Sequence, residues 1–358
     1  MFDLFLGYAR RVASSLATLA LLLALGGCDL GLFDDDGAGF LVGTDAGKVF
    51  HLIGGDSQAS FGWEADIAAS SKVVMDGSGD DILVGSGQEV VALSAMTGES
   101  LWGQPVSLGD DVVAVAGPLS GVAIVMTLEP FLVGIDMADG SELWRLDLLL
   151  SGNASDDAVA VGSSGVFLGG TEILKLDPQT GAEQAYYNTG TGSSYVVDIQ
   201  VAGGTVYAGL EDGVVALSAS TLSEEWRHPT ADEVDNVSVG GSSVFYSVIG
   251  GGVGALTQLG GNLVGEAEDG SVFEALSVGG NLLLAARSDG TLLAYDEADM
   301  AEVWTIDGAA GAAVRDLVTS GDTIFYAAGS YVDGINLSDG SSLWSYDPSG
   351  NPSDLFLF

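Results

Sequence analysis

Ala92-Leu93-Ser94-Ala95-Met96-Thr97-Gly98-Glu99-Ser100-Leu101-Trp102 returns forty-two residues later as Gly134-Ile135-Asp136-Met137-Ala138-Asp139-Gly140-Ser141-Glu142-Leu143-Trp144, and once more as Gly334-Ile335-Asn336-Leu337-Ser338-Asp339-Gly340-Ser341-Ser342-Leu343-Trp344. Fainter copies run from Lys175 to Gly181, from Ala216 to Trp226 and from Ala294 to Trp304. The six tryptophans, Trp63, Trp102, Trp144, Trp226, Trp304 and Trp344, are separated by 39, 42, 82, 78 and 40 residues. Each long gap is double a short one, and the midpoints fall near Ala185 and Gly265, where the local pattern recurs without the indole. One grid of about forty residues with eight points therefore carries every Trp, and self-similarity at such a period marks a repeat architecture.

In each copy an apolar stretch ends nine positions before the Trp slot and a polar turn follows. Gly98, Gly140, Gly181 and Gly340 lie four positions before a slot, where glycine supplies positive φ at little steric cost. In the unit that ends at Trp304, turn signals at Gly279-Gly280-Asn281 and Ser288-Asp289-Gly290 delimit expected strands at 275–278, 282–287 and 291–296, with a fourth at 301–304. Four short strands joined by tight turns make one antiparallel sheet. Leu282-Leu283-Leu284-Ala285-Ala286 and Val112-Val113-Ala114-Val115-Ala116 are apolar on both faces, so each sheet needs a neighbour on both sides. Sheets stacked radially around an axis meet that need. The expected fold is all-β, an eight-bladed β-propeller of four-stranded antiparallel blades.

The motif Ala-x-Asp-x-x-Thr-Gly-x-x-x-Trp resembles the signature of the PQQ-type, or quinoprotein-like, propeller repeat, over residues 40–358. The resemblance implies that each Trp docks against the following blade. An indole buries about 150–250 Å², equivalent to about 4–6 kcal/mol, and its N–H can reach a carbonyl across the seam. The WD40 repeat has a similar length, but no Trp here is followed by Asp and the chain has only two His. The first slot, Trp63, is preceded by only enough propeller sequence for strands such as 40–43 and 48–52, and the last, Trp344, is followed by Ser353-Asp354-Leu355-Phe356-Leu357-Phe358. Seven complete units and these two fragments make eight, so N- and C-terminal strands are expected to share one composite blade. A terminal Phe on an alternating strand also suits an outer-membrane barrel, but the short strands, apolar on both faces, do not.

Composition fits this reading and excludes others. Of 358 residues 54 are Gly and 47% are hydrophobic, enough apolar side chain for a core despite a formal net charge of −41. That charge comes from 34 Asp and 16 Glu against 3 Lys and 6 Arg. With no basic stripe to neutralise phosphates, nucleic acid is excluded as a partner, and anionic headgroups are disfavoured for the same reason. An acidic exported surface and a surface adapted to brine both suit this balance.

At the N-terminus, Arg10-Arg11 precede an apolar run from Val12 to Leu25, too short to span a bilayer and ordered as in a secretory signal. It ends in Leu25-Gly26-Gly27-Cys28, which resembles the bacterial lipobox. The resemblance implies a lipoprotein signal peptide at 1–27, lipidation of Cys28, and an acidic lipid-anchored tether at 28–39 reaching at most about 40 Å. The protein is thus expected to be exported and anchored on the periplasmic side of the inner or outer membrane. Cys28 is the only Cys, which leaves no disulfide framework and no thiolate metal site.

Quinoprotein dehydrogenases hold a quinone and Ca²⁺ on such a propeller, using insertions between blades. Short-gap spacing here is 39–42 residues, without room for a large active-site loop, and the few Arg and Lys do not form a cradle for a tricarboxylate. No catalytic residue, no PQQ and no other cofactor is expected. His51 and His228 fall in separate units without ligand spacing around either. Asp76, Asp80 and Asp81 place oxygen donors as a Ca²⁺ loop would, although a hairpin turn is expected there and the turn reading leads. Arg145 and Arg227 each follow a docking Trp and are read either as salt-bridged to acidic neighbours or as a partner surface. Tyr186, next to the empty slot at Ala185, is expected to replace the indole in the seam. With Tyr187 and Tyr195 it is also the only local hint of a ligand- or glycan-binding face.

The chain is similar to the BamB-like propeller lipoproteins of the outer-membrane protein assembly machinery. That resemblance implies a monomeric, non-enzymatic scaffold whose partner is an envelope protein, such as a β-barrel assembly complex. A periplasmic quinoprotein-type oxidoreductase and a ligand- or glycan-binding module are the alternatives.

Overall fold

Tight turns and β-branched runs fold every unit of the grid into a meander of four strands, eight sheets in all among the described residues. The computed structural model describes residues 38–54, 58–67, 71–129, 131–148, 158–190, 195–268, 270–308, 314–348 and 350–358. The chain divides into Met1–Asp36 and Gly37–Phe358. The signal peptide, Cys28 and nearly all of the tether lie outside the described residues.

The seventh blade illustrates the plan, with strands Phe273–Gly279, Leu282–Arg287, Leu292–Asp296 and Glu302–Ile306 running from hub to rim. These coincide with the expected strands to within two residues at each end. The first blade is composite: Pro352–Leu357 supplies its inner strand and pairs antiparallel with Ala38–Thr44, matching Leu41 with Phe356 and Val42 with Leu355. Each inner strand packs on the next, and Pro352–Leu357 packs on both Val314–Ser320 of the eighth blade and Val73–Ser78 of the second, closing the ring. Middle strands are dry on both faces, as in Val122–Thr127 and Leu282–Arg287. The run Val112–Ala116 was expected to be the same, yet it forms an inner strand whose Val113, Ala114 and Val115 are only half-buried, because they line a central cavity.

The core is distributed over the seams. Eight hydrophobic clusters each join one pair of adjacent blades. All six indoles lie in these clusters, with Trp102, Trp226 and Trp344 buried and Trp63, Trp144 and Trp304 half-buried. Five donate Nε1–H to a carbonyl of the next blade, each seven positions before that blade's own slot. The pairs are Trp63 to Ala95 (2.9 Å), Trp102 to Met137 (2.9 Å), Trp144 to Pro178 (2.8 Å), Trp226 to Gln258 (2.8 Å) and Trp304 to Leu337 (3.0 Å). Trp344 Nε1 has no acceptor among the described residues, and residues 55–57, which follow the strand it faces, lie outside them.

The turn glycines have a second role besides conformation. Gly98, Gly140, Gly181 and Gly340 have φ between 66° and 76°, and each lies under the indole of the preceding blade. A Cβ at Gly98 would stand 2.6 Å from the Trp63 ring, and one at Gly181 2.7 Å from Trp144. Gly261, not anticipated from the sequence, does the same under Trp226.

The two slots without Trp invert the arrangement. Opposite Ala185 the turn residue of the fifth blade is Leu222, and opposite Gly265 that of the seventh blade is Met300. Both keep the positive φ, 55° and 58°, and both are buried. Leu222 shares a cluster with Ala185 and Tyr187, while a Cβ at Gly265 would stand 3.1 Å from that of Met300. Every such seam is thus filled by one large side chain facing one small one, whichever blade supplies it. Tyr186 does not replace the indole: it is 60% exposed, and Leu222 occupies the seam. The indole's hydrogen bond is replaced too, because Ala219 O, the equivalent acceptor, receives Ser164 Oγ at 3.0 Å.

Candidate functional site

The inner strands surround a cavity of about 430 Å³. Six of them, starting at Val112, Val196, Val234, Phe273, Val314 and Pro352, carry a β-bulge after the first residue. The extra residue turns the next side chain toward the neighbouring blade. Asp198, Asp316 and Asp354 follow such bulges, and together with Asp76, whose strand pairs in unbroken register, they bridge blades at the hub. Gly117 N donates to Asp76 Oδ2 (2.8 Å), Val237 N to Asp198 Oδ2 (2.6 Å), Leu355 N to Asp316 Oδ2 (2.7 Å) and Met75 N to Asp354 Oδ2 (2.5 Å). Asn236 Nδ2 likewise reaches Phe273 O at 3.2 Å. Each bond runs from one inner strand to the next, capping edge groups that would otherwise be buried unpaired.

Burial sets the protonation of these acids. It pushes Asp76 up to about 6, against the opposing effect of N–H bonds from Gly117 and Gly77. Burial also raises Asp316 and Asp354, which are hydrogen-bonded to each other, and the charge of Asp316 raises Asp354 further. Lys72 and Arg315 line the same cavity and are exposed, and the Lys72 ammonium pulls both members of the pair back down.

The trio Asp76, Asp80 and Asp81 is not gathered around a common point. Asp76 faces Gly117, Asp80 accepts from Ser94 Oγ and Met96 N at the end of the blade's third strand, and Asp81 is exposed. No group of three or more His, Cys, Asp or Glu is placed to hold a metal among the described residues. Arg145 pairs with Glu142 at 2.7 Å and lies over the Phe131 ring. Arg227 reaches Asp212 at 3.4 Å and donates to Thr189 O at 2.7 Å. Both guanidinium groups are engaged by acidic neighbours on their own blades, the third and the fifth. His51 packs between Trp63 and Phe358, its pKa lowered by burial, and His228 lies near Tyr246 on another blade. Sequence reasoning reads Asp76 as a turn or Ca²⁺-loop residue and misses Asp198, Asp316 and Asp354, because an Asp at the third place of a strand looks like part of a turn.

The profile of the family described as "Outer membrane protein assembly factor BamB" matches residues 131–272 and 239–355, together more than half of the chain. The chain belongs to this family. No curated protein sequence matches the BamB-family chain. Among solved structures it is similar to BamB from Moraxella catarrhalis, with a TM-score of 0.65 and 18% identity over 84% of this chain and 92% of that one. The computationally designed Ika8 protein gives a TM-score of 0.66 at 18% identity over 79% of this chain and 89% of that one. The dihydro-heme d1 dehydrogenase NirN gives 0.72 at 11% identity over 91% of this chain and 76% of that one. At these identities the likenesses show the propeller fold. This BamB-family propeller has the eight blades and composite closure that its repeat grid implied.

Proposed function

We propose that the protein is a non-catalytic, lipid-anchored scaffold of the cell envelope that holds a protein partner during outer-membrane protein assembly. The observation that supports this most is the family match across the third to the eighth blades. Three sequence features agree with it. Leu25-Gly26-Gly27-Cys28 provides an anchor point, spacing between blades leaves no large loop for a catalytic site, and the acidic surface disfavours nucleic acid. The cavity at the hub is lined by groups that tie blades together, and this reading assigns it no cofactor.

The test has two arms. Growth with a clickable fatty acid should label the wild-type chain and leave Cys28→Ala unlabelled and released from membranes. Affinity purification of the anchored protein from solubilised membranes should then co-elute β-barrel assembly components. Absence of labelling removes the anchor, and co-elution of none of those components removes the assembly role. An absorbance scan of the purified protein that revealed a bound quinone would instead favour the oxidoreductase.

A further inference from the structure

Asp316 and Asp354 stand on either side of the seam between the eighth blade and the composite first blade, whose inner strand is the one that closes the ring. Asp316 belongs to Val314–Ser320, the inner strand of the eighth blade, and accepts from Leu355 N of Pro352–Leu357 at 2.7 Å. Asp354 belongs to Pro352–Leu357 and accepts from Met75 N of Val73–Ser78 at 2.5 Å. The two side chains also hydrogen-bond to each other. Two carboxylates in contact need one proton between them, since an ionised carboxylate only accepts. One shared proton therefore allows three links in a row, from the eighth blade through the closing strand to the second blade.

We propose that this carboxyl–carboxylate pair is a proton-dependent latch on Pro352–Leu357, the strand that closes the ring. When the shared proton leaves, two negative charges meet on half-buried side chains at the cavity wall, and like charges in contact cannot both be accommodated without relaxation. The surroundings offer limited relief. From just before the second blade's inner strand comes the Lys72 ammonium, which attracts both acids, while Asp76 on that strand is turned to Gly117. From the eighth blade comes Arg315, exposed at the cavity, and from the seventh Glu274, an acid on the same cavity wall. The strand Ala38–Thr44 carries no ionisable side chain, and Tyr326 of Thr323–Ala328 directs its hydroxyl to Gly290 O. The closing strand is free to answer the repulsion, because its only sheet partner among the described residues is Ala38–Thr44. Folding raises both acids, so the latch is firm at low pH and loosens as the pH rises.

The fifth and sixth blades contain an internal reference. There Val237 N is held by Asp198 in the same manner, across a seam between two blades that follow one another in the chain. Amide hydrogen exchange of the intact protein, corrected for intrinsic rates, should be followed from about pH 5 to about pH 9. Protection of Leu355 and Met75 should fall at least about tenfold relative to Val237, as follows when opening lowers the pKa of an acid by about one. In Asp354→Asn the ratio of Met75 to Val237 should stay constant with pH, since the acceptor of Met75 N no longer titrates. A constant ratio in the wild type, or the same decline in Asp354→Asn, would overturn the latch. Should Asp354→Asn not fold, Asp316→Asn provides the same comparison, and the wild-type ratio decides by itself.

Discussion

The seam between the second and third blades and the seam between the fourth and fifth are closed by different means. In the former, Trp102 projects from the second blade over Gly140 of the third, donates to Met137 O, and is matched at the hub by Asp76 accepting from Gly117 N. In the latter the large side chain comes from the opposite blade: Leu222 covers Ala185, and Ser164 replaces the indole N–H at Ala219 O. The fourth blade's inner strand, Val159–Gly162, carries no carboxylate. The requirement shared by both seams is therefore a filled volume and a satisfied carbonyl, and the Trp is one way of meeting it.

Removing the indole tests the first seam most severely. Trp102→Ala should destabilise by about 3–5 kcal/mol in urea unfolding, as for other large-to-small core changes, whereas a solvent-facing ring would change stability by less than about 0.5 kcal/mol. Next comes the hub of the same seam. Because burial holds Asp76 at about 6, folding favours its protonated form. That stability is complete below about pH 4, declines as the pH rises, and is absent above about pH 6, a difference of about 3 kcal/mol. Asp76→Asn should flatten this slope in unfolding curves taken at either end of the window; an unchanged slope would locate it in other groups.

A double-mutant cycle can convert one kind of seam into the other. Gly261→Leu alone puts a Cβ about 2.4 Å from the Trp226 ring and should destabilise. Combined with Trp226→Ala it recreates the pairing of Ala185 with Leu222, and the two changes should couple favourably by about 1–3 kcal/mol. Strict additivity would show that the two positions do not share one volume. The smallest effect is expected from Ser164→Ala, which leaves Ala219 O without its donor and should lower stability by about 1 kcal/mol.

Blade number, strand order and composite closure were legible because the signal is repeated eight times, so Trp63 and Trp344 could be aligned even with a fragment on each side. The inverted seams were not legible. Leu222 and Met300 sit at turn positions where glycine is expected, in the unit after the empty slot, and the adjacent Tyr186 offered a simpler substitute. The relation becomes visible only when each slot is compared with the residue 35–38 positions further on, glycine after a Trp and Leu or Met after Ala185 or Gly265. The hub carboxylates were hidden for another reason. Bulges such as that between Val314 and Asp316 break strand alternation, so the sequence does not say which way the side chain turns.

The alternation of large and small partners also bears on how such a ring can grow. A blade copied from one place into another brings its own slot but faces a turn residue belonging to its new neighbour. Put the third blade, with Trp144, ahead of the fifth, and its indole meets Leu222; put the fourth ahead of the third, and Ala185 meets Gly140, leaving a hole. Duplication and shuffling are therefore restricted to blocks that carry both halves of a lock, and the ring has a fixed reading order although its repeats look interchangeable.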